Sequence, residues 1–340
     1  MAAVRATALE TRAARGPERG GALARARVYF ASGPGRALQT TLGLLWVLDG
    51  ALQFQSFMYS RGFVELLAGN AGTQPIWLAR TISWAAQFIG PRLTVFNTLA
   101  ALTQVAIGAG LLSRRSVKPA LVLSFLWALV VWWVGEGFGE LFTNAANPLT
   151  GAPGAVVLYL LIGLLAWPSQ RPTGLLTLGA ARAMWAVLWL VSAWLWLLGP
   201  NSSPGATHDA IGTAPSGAAW LASIQHAVAD AAGRNGLVIA TCLALASAAI
   251  GIAVGVNWHA RVFLLGAIVL NAAYWLVGQG LGGMLTGSAT DPNAGPLFIV
   301  LACALWPLAG APPGPGRLRV QPAAGAHWRP PPQLPSQVPA

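Results

Sequence analysis

Gly135-Glu136-Gly137-Phe138-Gly139 recurs as Gly278-Gln279-Gly280-Leu281-Gly282, 143 residues further along the chain. The two stretches end alike, Leu141-Phe142-Thr143 against Met284-Leu285-Thr286. The same shift aligns Leu45-Trp46 with Leu188-Trp189, Trp77-Leu78 with Trp220-Leu221, Ile107-Gly108 with Ile250-Gly251, Lys118 with Arg261 and Trp132 with Trp275. After a small change of length, Asn147-Pro148 meets Asp291-Pro292 and Trp167-Pro168 meets Trp306-Pro307. One register held over most of two segments predicts an internal duplication, with modules at 36–168 and 180–308.

Around these motifs the chain is apolar. Hydrophobic residues make up 55% and charged residues 9% of its 340 positions, against about 25% charged in a soluble domain. Sixteen tryptophans suit membrane–water interfaces. The hydropathy predicts an all-α polytopic membrane protein with eight spans, near 40–58, 93–112, 119–138, 152–167, 180–198, 236–256, 262–281 and 295–308. Most approach the ~20 residues that a ~30 Å hydrocarbon layer requires. The fourth and eighth are short. Two long outer loops, 59–92 and 199–235, each carry an amphipathic stretch (76–88 and 220–228) that reads as lying along the interface or closing over a cavity.

The net charge of +11 does not indicate nucleic acid, because the basic residues sit in tails and short loops rather than on one face. With eight crossings, Arg5, Arg12, Arg15, Arg19, Arg25, Arg27, Arg36, Arg114, Arg115, Lys118, Arg171, Arg182, Arg261, Arg317, Arg319 and Arg329 share a side. Arg61, Arg80, Arg92 and Arg234 fall opposite. That asymmetry predicts both termini in the cytoplasm of a cell with an inner membrane. The near-absence of lysine and the Ala, Gly and Pro richness suggest a bacterial, GC-rich source. No cleavable leader is visible, so the first apolar run reads as a retained span. Residues 1–35 read as a basic disordered tail touching anionic lipid, and the Pro-rich 311–340 as a second disordered tail. An even number of spans per module inserts both copies the same way round, the parallel kind of repeat.

Few residues offer chemistry. Asp49, ten residues into the first expected span, is costly in hydrocarbon and calls for a facing polar group, a water cavity or protonation. Gln53 lies one turn on. It is either a hydrogen-bonded structural acid or a proton or ligand site. Glu136 and Glu140, spaced i and i+4 at the outer end of span three, read as a solvated acidic edge or as a site for a proton or cation. Their counterparts, like that of Asp49, are neutral: Ser192, Gln279 and Gly283. This predicts one specialised site built mainly from the first module. Gly135 and Gly139, like Gly278 and Gly282, have the GxxxG spacing of close helix packing. With Gly137 and Gly280 they can equally form a backbone turn lining a pocket. The pattern is not GxGxxG after a strand, which excludes a dinucleotide fold. Cys242 and Cys303 read as small buried hydrophobes. His226 and Asp230 read as a structural pair. The four histidines, none in mid-span, exclude a bis-His haem, and no zinc spacing or catalytic triad is present, so no catalytic or metal residue is assigned.

The four-span module, with 44–55 in its first span and 135–143 closing its third, resembles the DoxX-like membrane proteins, a group that includes the small membrane subunit of thiosulfate:quinone oxidoreductase. The resemblance covers 36–168 and, more faintly, 180–308. This chain departs from the group in carrying two modules and no redox cysteine pair. The resemblance implies a non-catalytic subunit of a membrane redox complex, with quinone as its associated cofactor and other complex subunits as partners. The alternative, from the residues, is a transporter or channel for a small solute, proton or metal ion.

Overall fold

The computed structural model describes residues 33–310; all but the last three residues of the expected basic tail, and the whole Pro-rich tail, lie outside them. Among the described residues the chain is helical, with no strand. The first half holds α1 (Pro34–Leu52), α2 (Arg61–Gly69), α3 (Ile76–Ile89), α4 (Leu93–Leu112), α5 (Val117–Val130) and α6 (Ala155–Ala166). The second holds α7 (Leu178–Trp196), α8 (Ala206–Gly212), α9 (Ala219–Ala232), α10 (Gly236–Gly255), α11 (Ala260–Val277) and α12 (Ala294–Leu305).

Five helical stretches are long and apolar enough to cross a membrane: Ile76–Leu112, Val117–Gly135, Leu178–Trp196, Gly236–Gly255 and Ala260–Val277. The surface pattern is inside-out. Leu237, Leu245, Val262 and Val269 are each more than 60% exposed, while Gln53, Asn97, Gln104, Asn271 and Gln279 are buried. In water such an outer face would aggregate; in lipid it is the expected one. Cys242 and Cys303 lie on that face, exposed rather than buried.

Several expected boundaries move. Pro34, whose missing N–H costs nothing in a first turn, starts α1 six residues earlier than hydropathy suggested. The helix ends at Leu52, followed by a 3-10 turn at Ser56–Tyr59. Asp49 therefore sits in the last turn of α1, not at its middle. The third expected span ends at Gly135 in a π-helical turn, Val131–Gly135, short of Phe138. α6 and α12 have 12 residues each, about 18 Å at 1.5 Å per residue. The amphipathic stretches are full helices, α3 and α9, and α3 runs through a 3-10 turn at Gly90–Arg92 into α4.

Small residues set the closest helix approaches. α1 lies on α4 where a Cβ at Gly108 would meet the Gly43 carbonyl oxygen at 2.6 Å and the Val47 nitrogen at 2.9 Å. α7 lies on α10 at Gly251, against Trp189. α6 and α12 pack together between the halves, and one core runs through Leu42, Trp46, Ile107, Tyr159, Ile162, Trp185, Trp189, Leu297 and Leu301. At one end of the bundle Arg36 donates to the Leu111 and Leu112 carbonyls, Gln39 to Ala166 and Arg182 to Leu308. Helix C-termini leave such carbonyls without partners, and these side chains satisfy them. The Gly-rich turns lie at the opposite end.

Candidate functional site

Past α5 and α11 the backbone turns sharply. Phe138 and Gly139 have φ of 57° and 61°; Leu281 and Gly282 have 55° and 70°. A left-handed non-glycine residue costs about 1–2 kcal/mol. At Phe138 this is offset by ring contacts, an edge-on approach to Trp132 at 5.0 Å and one to Phe142 at 5.6 Å. The glycines allow the turn to close on the next loop, since a Cβ at Gly139 would strike the Pro153 carbonyl and one at Gly282 would overlap Pro292. Trp132 Nε1 donates to Pro153 O and Trp275 Nε1 to Pro292 O, each at 2.8 Å. The first turn is held from α2 and the loop after it, Asn70 donating to Gly135 O and Gln74 to Gly137 O. The second is held by Gln225 of α9, which donates to Val277 O.

The turns aim one polar side chain each at the N-terminus of a short helix. Glu136 Oε1 accepts from Ala155 N at 3.0 Å and Val156 N at 3.2 Å. Gln279 Oε1 accepts from Gly295 N at 2.9 Å, and Asn293 Oδ1 from Ala294 N at 2.6 Å. First-turn N–H groups have no partner inside their own helix, so these contacts cap α6 and α12.

Between the two caps lies a cavity of ≈ 320 Å³ whose wall includes Asn70, Glu136, Glu140, Asn147, Thr150, Gly151, Gly282, Thr290, Asp291 and Asn293. Both halves contribute, and among the described residues no basic side chain lines it. Asp291 accepts from Thr290 Oγ1 at 2.8 Å and from Asn293 N at 2.6 Å. Gln53 Nε2 reaches Thr290 O at 3.5 Å and Gln55 Nε2 reaches Ala289 O at 3.1 Å, tying the end of α1 to the second half's loop. Asn97 donates to Gln53 O at 2.8 Å. In the reverse direction, Asn201 donates to Ala146 O at 2.8 Å, and Gly278 leaves room for Leu149.

Asp49 is 2% exposed and its carboxyl feels Asp291, Glu136 and the Tyr159 hydroxyl. Its Oδ1, Glu136 Oε2, Tyr159 Oη and Asn97 Oδ1 are buried without hydrogen-bond partners; Tyr159 lies close to Asp49 without completing a hydrogen bond. None of the three acids forms an ion pair among the described residues. Burial, and then the charge of Asp291, push the Glu136 carboxyl up to about 8, against the bonds from Val156 and Ala155. Burial also raises Asp291, opposed by the Thr290 and Asn293 contacts, and raises Glu140.

The structure thus brings Asp49, Gln53, Glu136 and Glu140 to one end of the bundle and places Gln279 apart, as the cap of α12. Glu136 and Glu140 do not share a helical face, because the left-handed turn at 137–139 separates them. Gly135, Gly139 and Gly282 line the cavity; Gly137 and Gly280 are buried behind it, and Gly278 meets Leu149. Most of the cavity wall comes from the first module, and the second half adds one acid to it, Asp291. Asp291, Asn70, Asn147, Asn293 and Tyr159 were missed. The signal was present in the aligned pairs Asn147-Pro148 and Asp291-Pro292, each preceding a short helix. His226 is not Asp230's partner: His208 takes that place, 3.0 Å from Asp209 and 4.0 Å from Asp230. Among the described residues no three His, Cys, Asp or Glu side chains converge to hold a metal ion. Comparison of the chain with protein-family models, curated proteins and solved structures gives no match, so the reading of this site rests on its geometry.

Proposed function

We propose that this is an eight-span membrane protein, two four-span repeats inserted the same way round with both termini cytoplasmic, that binds and passes a small polar solute through the cavity between its halves. The observation that carries the reading is the carboxyl-lined cavity built by both halves where two short helices begin. Solute sites in repeat transporters sit at the repeat interface, beside broken or short helices. Buried ionisable groups inside a membrane bundle mark such pathways. The crossing segments are α1, α4, α5 and α6, then α7, α10, α11 and α12, with α3 and α9 along the outer interface.

Full-length protein in liposomes loaded with mixed amines, amino acids and sugars tests this. At least one class should leave faster than from equally loaded protein-free liposomes. Thr150→Trp, at an exposed residue of the cavity wall, should block that flux. No flux and no solute binding would end the proposal. Impermeant maleimide should label Glu140→Cys and Met284→Cys from the same compartment; opposite compartments would overturn the repeat topology. The second reading, a quinone-associated subunit of a redox complex, rests on the DoxX-like resemblance, and co-purifying quinone or redox subunits would support it.

A further inference from the structure

We infer that the ligand of this cavity is a small organic cation carrying N–H donors, and that its entry expels a proton held among Asp49, Glu136 and Asp291. The inference rests on the solute-binding reading above and names the class of solute.

The polar groups left over are acceptors. On the cavity wall Glu136 Oε2 is buried without a partner, and Glu140 and Asp291 line the same wall; behind the wall Asp49, 2% exposed, feels Glu136 and Asp291 and lies beside the Tyr159 hydroxyl. An ammonium or guanidinium supplies only donors. Helix N-termini ordinarily attract anions. Here that capacity is taken, because the first N–H groups of α6 and α12 already bond Glu136, Gln279 and Asn293. A bare metal ion lacks converging ligands among the described residues. The ≈ 320 Å³ volume is at the lower end for small-molecule pockets, about 300 Å³ upward.

The groups facing the cluster come from every packed element. They are Asp49 on α1, Tyr159 on α6, Glu136 and Glu140 after α5, and Asp291 before α12. Like charges this close and this buried do not all ionise together. At least one carboxyl is therefore neutral in the empty site. When the cation arrives, that O–H bond breaks, its electron pair stays on the carboxylate, and the proton leaves to outer water. One positive charge replaces another.

The test uses full-length protein in nanodiscs. Ethylammonium and methylguanidinium are titrated calorimetrically, with acetamide and acetate as neutral and anionic controls, in buffers of differing ionisation heat so that proton release is counted. The amines should bind and release a proton, with affinity rising about tenfold per pH unit between pH 6 and 8. Asp291→Asn should weaken them at least tenfold. Glu140→Gln, at an exposed side chain on the cavity wall, should weaken them several-fold. Acetamide or acetate binding as tightly, with the amines inert, overturns the cation inference while leaving a solute site. Amine binding with no proton release, or untouched by both substitutions, also overturns it. Failure of every probe to bind removes this inference and counts against the solute reading itself.

Discussion

Glu136 and Gln279 occupy matching places after α5 and α11 and do the same mechanical work, each capping a 12-residue helix through Oε1. Since the amide suffices in the second half, the acidity of Glu136 is not needed to hold the turn. The same contrast recurs one layer deeper. Ser192 satisfies itself by donating to Leu188 O at 3.2 Å, whereas its counterpart Asp49 leaves Oδ1 unbonded. The first half carries charge that its backbone does not require, and that surplus is where chemistry is to be sought.

The severest way to break the comparison is at the turns. Gly139→Ala and Gly282→Ala each combine a left-handed residue with overlap onto a neighbouring carbonyl, Pro153 or Pro292. Each should cost more than about 3 kcal/mol and abolish monodisperse protein in size-exclusion chromatography. If only one does so, the halves are not equivalent there. Next comes pH. A carboxyl at about 8 when folded, against an ordinary 4.5 unfolded, keeps its proton in the native state while the unfolded chain loses its own. Its stability contribution is full below pH 4.5 and is lost as pH rises toward 8. Glu136→Gln, which makes the first half resemble the second, should flatten this slope, recovering roughly 5 °C of melting temperature at pH 8 relative to the parent. Removing the caps altogether, Glu136→Ala or Gln279→Ala, should cost about 1–2 kcal/mol each, with similar melting shifts measured at pH 6. The mildest test is Trp46→Phe against Trp189→Phe. Trp46 Nε1 donates to Ser124 Oγ at 2.9 Å, whereas Trp189 Nε1 is buried without a partner. The first change should cost about 1 kcal/mol and the second close to nothing, by thermal melts.

Hydropathy located the helices that are long and apolar enough to cross a membrane, because apolar character is recorded residue by residue. Ile76–Ile89 and Ala219–Ala232 were legible as amphipathic helices for the same reason. The depth of Asp49 was not, since the start of α1 is set by Pro34 within a stretch too polar to count as apolar. The aligned pairs Asn147-Pro148 and Asp291-Pro292 marked the loop that carries Asp291, but not which side chains that loop meets. It joins the cluster through contacts such as Gln53 to Thr290, 237 residues apart in sequence, and no local pattern reports a contact of that span. Glu136 was singled out by composition, but its orientation depends on the left-handed turn after it, which turns Glu140 away.

The brevity of α6 and α12 has an electrical consequence. A hydrocarbon layer is ~30 Å deep, and helices of 12 residues, if they cross it as proposed, would occupy only about 18 Å of it. In the eight-span topology proposed above, water entering from the cavity side would carry that side's potential down to their N-termini, and the membrane voltage would fall across the shorter plug. A cation seated at Asp291 would feel little of the field. Each elementary charge moved past the plug would traverse nearly all of it, about 2.3 kcal/mol per 100 mV, and flux would depend steeply on voltage while binding did not.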